Sequence, residues 1–156
     1  MNRYIRSMTA GFVATAALSL LMLMKGAMGL MPALNPIAML TDMAHAQMGM
    51  PASPMVGWVA HFMIGTVAWG ILFALLFDKL PGRRASVKGM SFSVLAWLTM
   101  MVGPMPMAGA GLFGLALGMM APVMALVMHL IWGAVLGYGY GRFQSNTGAG
   151  HSAIFS

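Results

Sequence analysis

Residues 89–141 read GMSFSVLAWLTMMVGPMPMAGAGLFGLALGMMAPVMALVMHLIWGAVLGYGYG and contain no charged side chain. A helix crosses the hydrocarbon of a bilayer in about 20 apolar residues, so this stretch is too long for one crossing and too apolar for a water-exposed domain. Gly103-Pro104-Met105-Pro106, followed by Gly109 and Gly111, supplies a break, because proline ends a helix and glycine permits the turn. Two spanning helices joined by a short Gly/Pro/Met turn are therefore predicted.

The same reasoning divides the chain towards its N-terminus. Residues 7–24 lie uncharged between Arg6 and Lys25, and residues 43–77 are uncharged but interrupted by Pro51 and Pro54. The fold class predicted is all-α, a polytopic membrane protein with four transmembrane helices near 8–30, 55–77, 88–103 and 112–141. These form one domain over 1–143, and the polar residues 144–156, with His151, read as a mobile tail. Composition agrees: 60% of the 156 residues are hydrophobic and 6% charged, where a soluble domain carries about a quarter charged. Mean hydropathy is +0.86. Cysteine is absent, which removes disulfides, thiolate metal sites and cysteine nucleophiles.

Charge sets the expected orientation. Arg3 and Arg6 precede the first span, Lys79, Arg83, Arg84 and Lys88 join the second to the third, and Arg142 follows the fourth. Basic residues collect on the cytoplasmic side, so both termini are expected there, in a bacterial inner membrane, with the net charge of +6 marking topology rather than a nucleic-acid surface. Arg3 and Arg6 before an apolar run also suit a signal peptide, but the run is longer than a signal core and Lys25 stands where a small-residue cleavage site belongs. In the first outer loop Asn35 can cap a helix, Pro36 suits its first position and Gly49 its end. A short surface helix over Pro36–Met48 follows, with Ile37, Leu40, Ala44 and Met48 as its apolar stripe.

The chain reads as two copies of a helix pair. At an offset of 68, Gly57 falls on Ala125, Val59 on Val127, His61 on His129, Gly65 on Gly133 and Val67 on Val135. Gly11 matches Gly89 more loosely, and Gly26 matches Gly103 after one gap. Each copy holds two spans, so the copies share an orientation and equivalent residues share a depth.

The run Lys25-Gly-Ala-Met-Gly-Leu-Met-Pro, the His61-x-x-x-Gly65 helix, the Pro104–Gly114 turn and the His129-x-x-x-Gly133 ending resemble an uncharacterised family of small four-helix bacterial inner-membrane proteins, a domain of unknown function. The resemblance covers residues 8–142. It implies the architecture already reached and carries over no activity and no site residues.

Ionisable groups inside lipid are costly and mark candidate sites. His61 and His129 lie at matching repeat positions beside small residues, so they are candidate cofactor-binding residues: two axial ligands for a b-type haem, with Gly65 and Gly133 making room for the macrocycle. The competing reading has each imidazole hydrogen-bonding a neighbouring helix. Lys25 is expected to snorkel to the outer headgroups, with pairing to Asp42 or a ligand carboxylate as the alternative. Methionine, with 21 residues, suggests Cu(I), for which Met43, His45, Met48 and Met50 are the outer-side candidates. On a helix, however, Met43 and His45 point apart, and methionine also serves as apolar filler. The aromatics Trp58, Trp69, Trp97, Trp132, Tyr138 and Tyr140 read as packing and interfacial anchors. With Asp42 and Asp78 as the two acids, hydrolase chemistry is not expected, and Gly109-x-Gly111-x-x-Gly114 lacks the preceding strand of a dinucleotide site.

Three function classes remain. The first is a non-enzymatic accessory or structural subunit of a larger membrane assembly, its Gly- and Ala-rich faces packing against lipids, other membrane subunits or a second copy. The second is electron transfer through haem at His61 and His129. The third is transport of a small neutral solute or Cu(I). The topology is testable directly, because the native chain has no competing thiol: His45→Cys and Ser86→Cys should label from opposite sides of intact cells, and labelling from one side would refute the orientation.

Overall fold

The structure is a computed structural model that describes residues 2–149, so the expected tail beyond Ala149, including His151, lies outside the described residues. Helix α1 (Arg3–Ala27) is capped by the Asn2 side chain, which accepts from the Tyr4 N–H, and has Lys25 in its last turn. Helix α2 (Pro36–Met48) has the expected start and stop: Asn35 Oδ1 accepts from Ala38 N, Pro36 occupies the first turn and Gly49 ends it at φ +66°. Helix α3 (Pro54–Met63), a π turn over Ile64–Ala68 and helix α4 (Trp69–Leu76) run on as one rod. Helix α5 (Ala85–Val102) leads into the single turn α6 (Pro104–Met107), a 3-10 segment over Leu112–Leu117, and α7 (Met120–Ala149). Four helices are long and apolar enough to cross a membrane: Arg3–Ala27, Pro54–Leu76, Ala85–Met107 and Met120–Gln144. No strand occurs among the described residues.

The last span begins at Met120 rather than near residue 112. Gly109, Gly111, Gly114 and Gly118 all take positive φ, which no right-handed helix accommodates, and Phe113 joins them at +58°. At its other end α7 runs on to Ala149, through residues assigned to the tail by composition.

Helices α1 and α7 pack on each other at the centre; the α3–α4 rod packs on α1, and α5 on α7. Glycines set the approach. A Cβ on Gly11 would come 2.9 Å from the Gly65 carbonyl, while one on Gly65 would strike the Thr15 hydroxyl. In the other pair, Gly89 and Gly133 each lie against the other's carbonyl, Gly133 also faces Ser93, and Gly137 faces the Ala85 carbonyl. Buried hydroxyls reinforce these seams: Ser7 Oγ donates to Gly70 O at 2.6 Å, and Trp132 Nε1 donates to Thr15 Oγ1 at 3.2 Å.

One end of the bundle is basic and closed. Phe73, Phe77, Phe92 and Tyr140 plug it, with ring centroids 5.2 Å apart for Phe73–Phe92 and 4.6 Å for Phe77–Tyr140. Arg3 donates to Ala74 O and stands 3.7 Å from Asp78, and Lys88 Nζ donates to Phe77 O at 2.8 Å. Cations thus meet the carbonyls at the C-terminal end of α4, where the helix dipole favours them. At the opposite end α3 and α5 diverge, and α2 lies against α3, with Gly57 facing the Ile37 carbonyl and the Thr41 hydroxyl. The buried face of α2 is therefore centred on Ile37 and Thr41, while Met48, expected in the apolar stripe, is 76% exposed.

Gly133→Ala should destabilise the protein by about 1–3 kcal/mol, because the added methyl meets Ser93 and a backbone carbonyl. Gly26→Ala, with nothing within 4 Å of the new methyl, should be neutral or gain about 0.5–1 kcal/mol. Unfolding midpoints in detergent would check both, and equal effects would refute the glycine seam.

Candidate functional site

The divergence of α3 from α5 leaves a cavity of about 210 Å3 in the half of the bundle away from the basic end. Its floor is Trp69 and Trp132, its walls include His61, Thr99, Met128 and His129, and its roof is Leu34, Pro36, Met39 and Met43 of the loop and α2. His61 and His129 both line this one space.

Their depths agree. Gly65 touches Thr15, which accepts from Trp132, so these three mark one level. At ~1.5 Å per residue, His61 lies about 6 Å above that level and His129 about 4.5 Å.

The two imidazoles differ in their bonding. His129 Nδ1 donates to Ala125 O at 2.8 Å, one turn back on its own helix, in the tautomer that leaves the Nε2 lone pair free. His61 Nε2 is buried without a hydrogen-bond partner, and the ring is flanked edge-on by Trp58 and Phe62, at 6.1 and 5.8 Å between centroids. Neither histidine bridges two helices in the bonds observed. The small residues beside them do not make room for a ligand, because the space at Gly57 is taken by α2 and that at Gly65 by Thr15.

The π turn places Trp69. In an unbroken α-helix, eight residues at ~100° each would put Trp69 about 80° round from His61; the extra residue of a π turn brings it within about 20°. The Trp69 N–H bonds to Ile64 O, five residues back, and His61, Ile64, Gly65 and Trp69 all line the cavity.

Lys25 bonds backbone carbonyls of the loop and not Asp42. Its Nζ donates to the carbonyls of Leu30, Met31 and Leu34 at 3.0, 3.0 and 2.9 Å, tying the roof to the end of α1 and holding Met31 at φ +46°. The outer-side copper candidates are also dispersed. Met43 faces the central cavity, Met48 and Met50 line a separate shallow depression over α3, and His45 Nδ1 lies 2.7 Å from Met50 O.

Sequence reasoning missed what surrounds the histidines. Met22, Met39, Met43, Met100, Met105, Met124 and Met128 all line the cavity, together with Thr15 and Thr99. The offset that pairs Gly11 with Gly89 also pairs Met22 with Met100, a signal present in the sequence. Among the described residues no group of three or more His, Cys, Asp or Glu stands together, and the cavity lining offers imidazole, thioether and two threonine hydroxyls. At about 210 Å3 the cavity is smaller than the ~300 Å3 at which pockets for drug-sized ligands begin, and nothing in its lining calls for a macrocycle.

No curated protein and no solved structure matches the chain. A family of unknown function (DUF6789) matches over residues 1–150, taking in every helix described above, and the protein belongs to that family.

Proposed function

We propose that the protein is a non-enzymatic integral protein of the bacterial inner membrane that holds a small ligand in the cavity roofed by α2. The observation that carries this reading is His61, which lines that cavity and whose Nε2 is buried without a partner. A buried donor or acceptor without a partner costs about 1–3 kcal/mol, a cost that a bound ligand removes. The two hydroxyls of the cavity lining are engaged, Thr99 donating to Leu95 O and Thr15 accepting from Trp132 Nε1, and no carboxylate stands beside the histidines there, which favours holding over turnover.

In this reading both termini are cytoplasmic and the cavity lies in the outer half of the bilayer, from the basic residues gathered at the opposite end. The two helix pairs are copies, with Gly11, Thr15 and Gly65 of the first pair corresponding to Gly89, Ser93 and Gly133 of the second, in matching contacts. The accessory-subunit reading rests on small-residue faces, and the glycines at the helix seams are occupied inside the bundle, so those glycines do not call for a partner.

Thr99 is exposed and lines the cavity, so Thr99→Trp fills the opening without entering the core. Native mass spectrometry of protein extracted in mild detergent should show a small adduct that Thr99→Trp lacks; an adduct that persists in the variant would refute the cavity as the site. Ligand-free His61→Leu should be as stable as the parent or more so, by up to about 1–3 kcal/mol, and a loss of stability would identify the imidazole as a packing residue. The visible spectrum of protein from haem-replete cells should lack a Soret band.

A further inference from the structure

The proposal above leaves the ligand open, and the donor atoms on the cavity wall narrow it. We propose that the cavity binds a soft monovalent metal ion, Cu(I), between Nε2 of His61 and Nε2 of His129, with thioether sulfur from the methionine layer above them completing the site. This rests on the reading of the cavity as a ligand site.

Three observations support it. The first is the chemistry of the donors. The lining contains imidazole and thioether groups and no carboxylate or thiolate. Hard divalent cations select carboxylate, carbonyl and water oxygens, whereas neutral sulfur and nitrogen donors suit Cu(I). A monovalent ion also brings the smallest positive charge into a cavity that is neutral apart from the Lys25 ammonium at its roof.

The second is preparation of the imidazoles. The bond from His129 Nδ1 to Ala125 O fixes both the tautomer and the ring orientation, as the outer-shell bond of a ligating histidine does. His61 Nε2 is buried and unpartnered, a lone pair or proton held away from water with nothing to receive it.

The third is depth. From the level of Thr15 and Trp132, the histidines lie about 4.5–6 Å up, Met128 about 6 Å and Met22 about 10.5 Å at ~1.5 Å per residue. On α5, counting from Ser93 at the level of Gly133, Met100 lies at about the same height as Met22. Met22, Met100 and Met128, on three different helices, therefore line the cavity at or just above the level of the imidazole pair. Lys25 also lines the cavity from the roof, but its ammonium protons are directed at the Leu30, Met31 and Leu34 carbonyls.

The test uses the full chain in detergent, with Cu(I) generated by ascorbate and measured against a Cu(I)-specific chromogenic chelator. One ion per chain is expected. His61→Leu and His129→Leu should each weaken binding by about 10–100-fold or more, and His45→Leu should leave it unchanged. Binding lost in His45→Leu, or unaffected by both cavity variants, would overturn the proposal, as would equal affinity for Zn(II). Because a variant can misfold, the wild-type protein supplies a second measurement. On addition of Ag(I), a redox-inert ion of the same class, the methyl NMR signals of Met128 and of Met22 or Met100 should shift; shifts confined to Met48 and Met50 would refute the site. If neither ion binds while Thr99→Trp still removes a co-purifying adduct, the metal proposal falls and the ligand site stands. If that adduct is missing as well, both fall.

Discussion

Where lipid is the solvent, apolar side chains gain nothing by leaving it for one another, and helices associate through close packing and buried polar contacts. The packing of the helix pairs in this bundle follows from where the backbones can touch. Gly11 with Gly65, Gly89 with Gly133, and Gly137 with Ala85 draw each helix pair together in the half nearer the basic end, where a cluster of aromatic rings completes the closure. Beyond those contacts the α3–α4 rod and α5 part, and the space between them is lined by small residues such as Ala96 and Ala125 as well as by larger ones. The cavity is thus the complement of the seam: it opens where the glycine contacts stop.

Closing the far end falls to a different kind of interaction. The Lys25 ammonium gathers three carbonyls of a loop that has turned away from helical geometry, including one on a residue with left-handed backbone. Charge-assisted hydrogen bonds are stronger than neutral ones, and here one cation serves three acceptors, of which Met31 O also takes the Leu34 N–H. The same logic operates at the basic end, where Arg3 and Lys88 meet the last carbonyls of α4. A chain with few charges has placed several of them on backbone oxygen rather than on acids.

Much of this was legible in the sequence, for stated reasons. Uncharged length marked the four long helices, and Asn35, Pro36 and Gly49 marked α2 to the residue, because capping is a local property. The shared cavity of His61 and His129 followed from matching positions in sequence. What escaped was non-local. Whether Gly57 and Gly65 make room or make contact depends on what stands opposite, and Thr15, Ile37 and Thr41 stand there. The glycines from 109 to 118 were read as a turn too short, since their positive φ values extend the irregular stretch almost to Met120. On the spans methionine reads as apolar filler, because its periodicity is hidden among other apolar residues, and the layer it contributes around the histidines does not show.

The π turn breaks an equivalence that two similar helix pairs would otherwise create. A cavity between true copies would present the same wall twice, and an elongated guest would have two opposite poses of equal energy. Here the rod through Ile64–Ala68 gains a residue that α7 lacks, so Trp69 and Trp132 reach the floor from positions that do not correspond. One imidazole is tethered to its own helix and the other is not. The degeneracy is lifted, and whatever occupies the space meets a left wall and a right wall, a distinction that gives it a defined direction across the bundle.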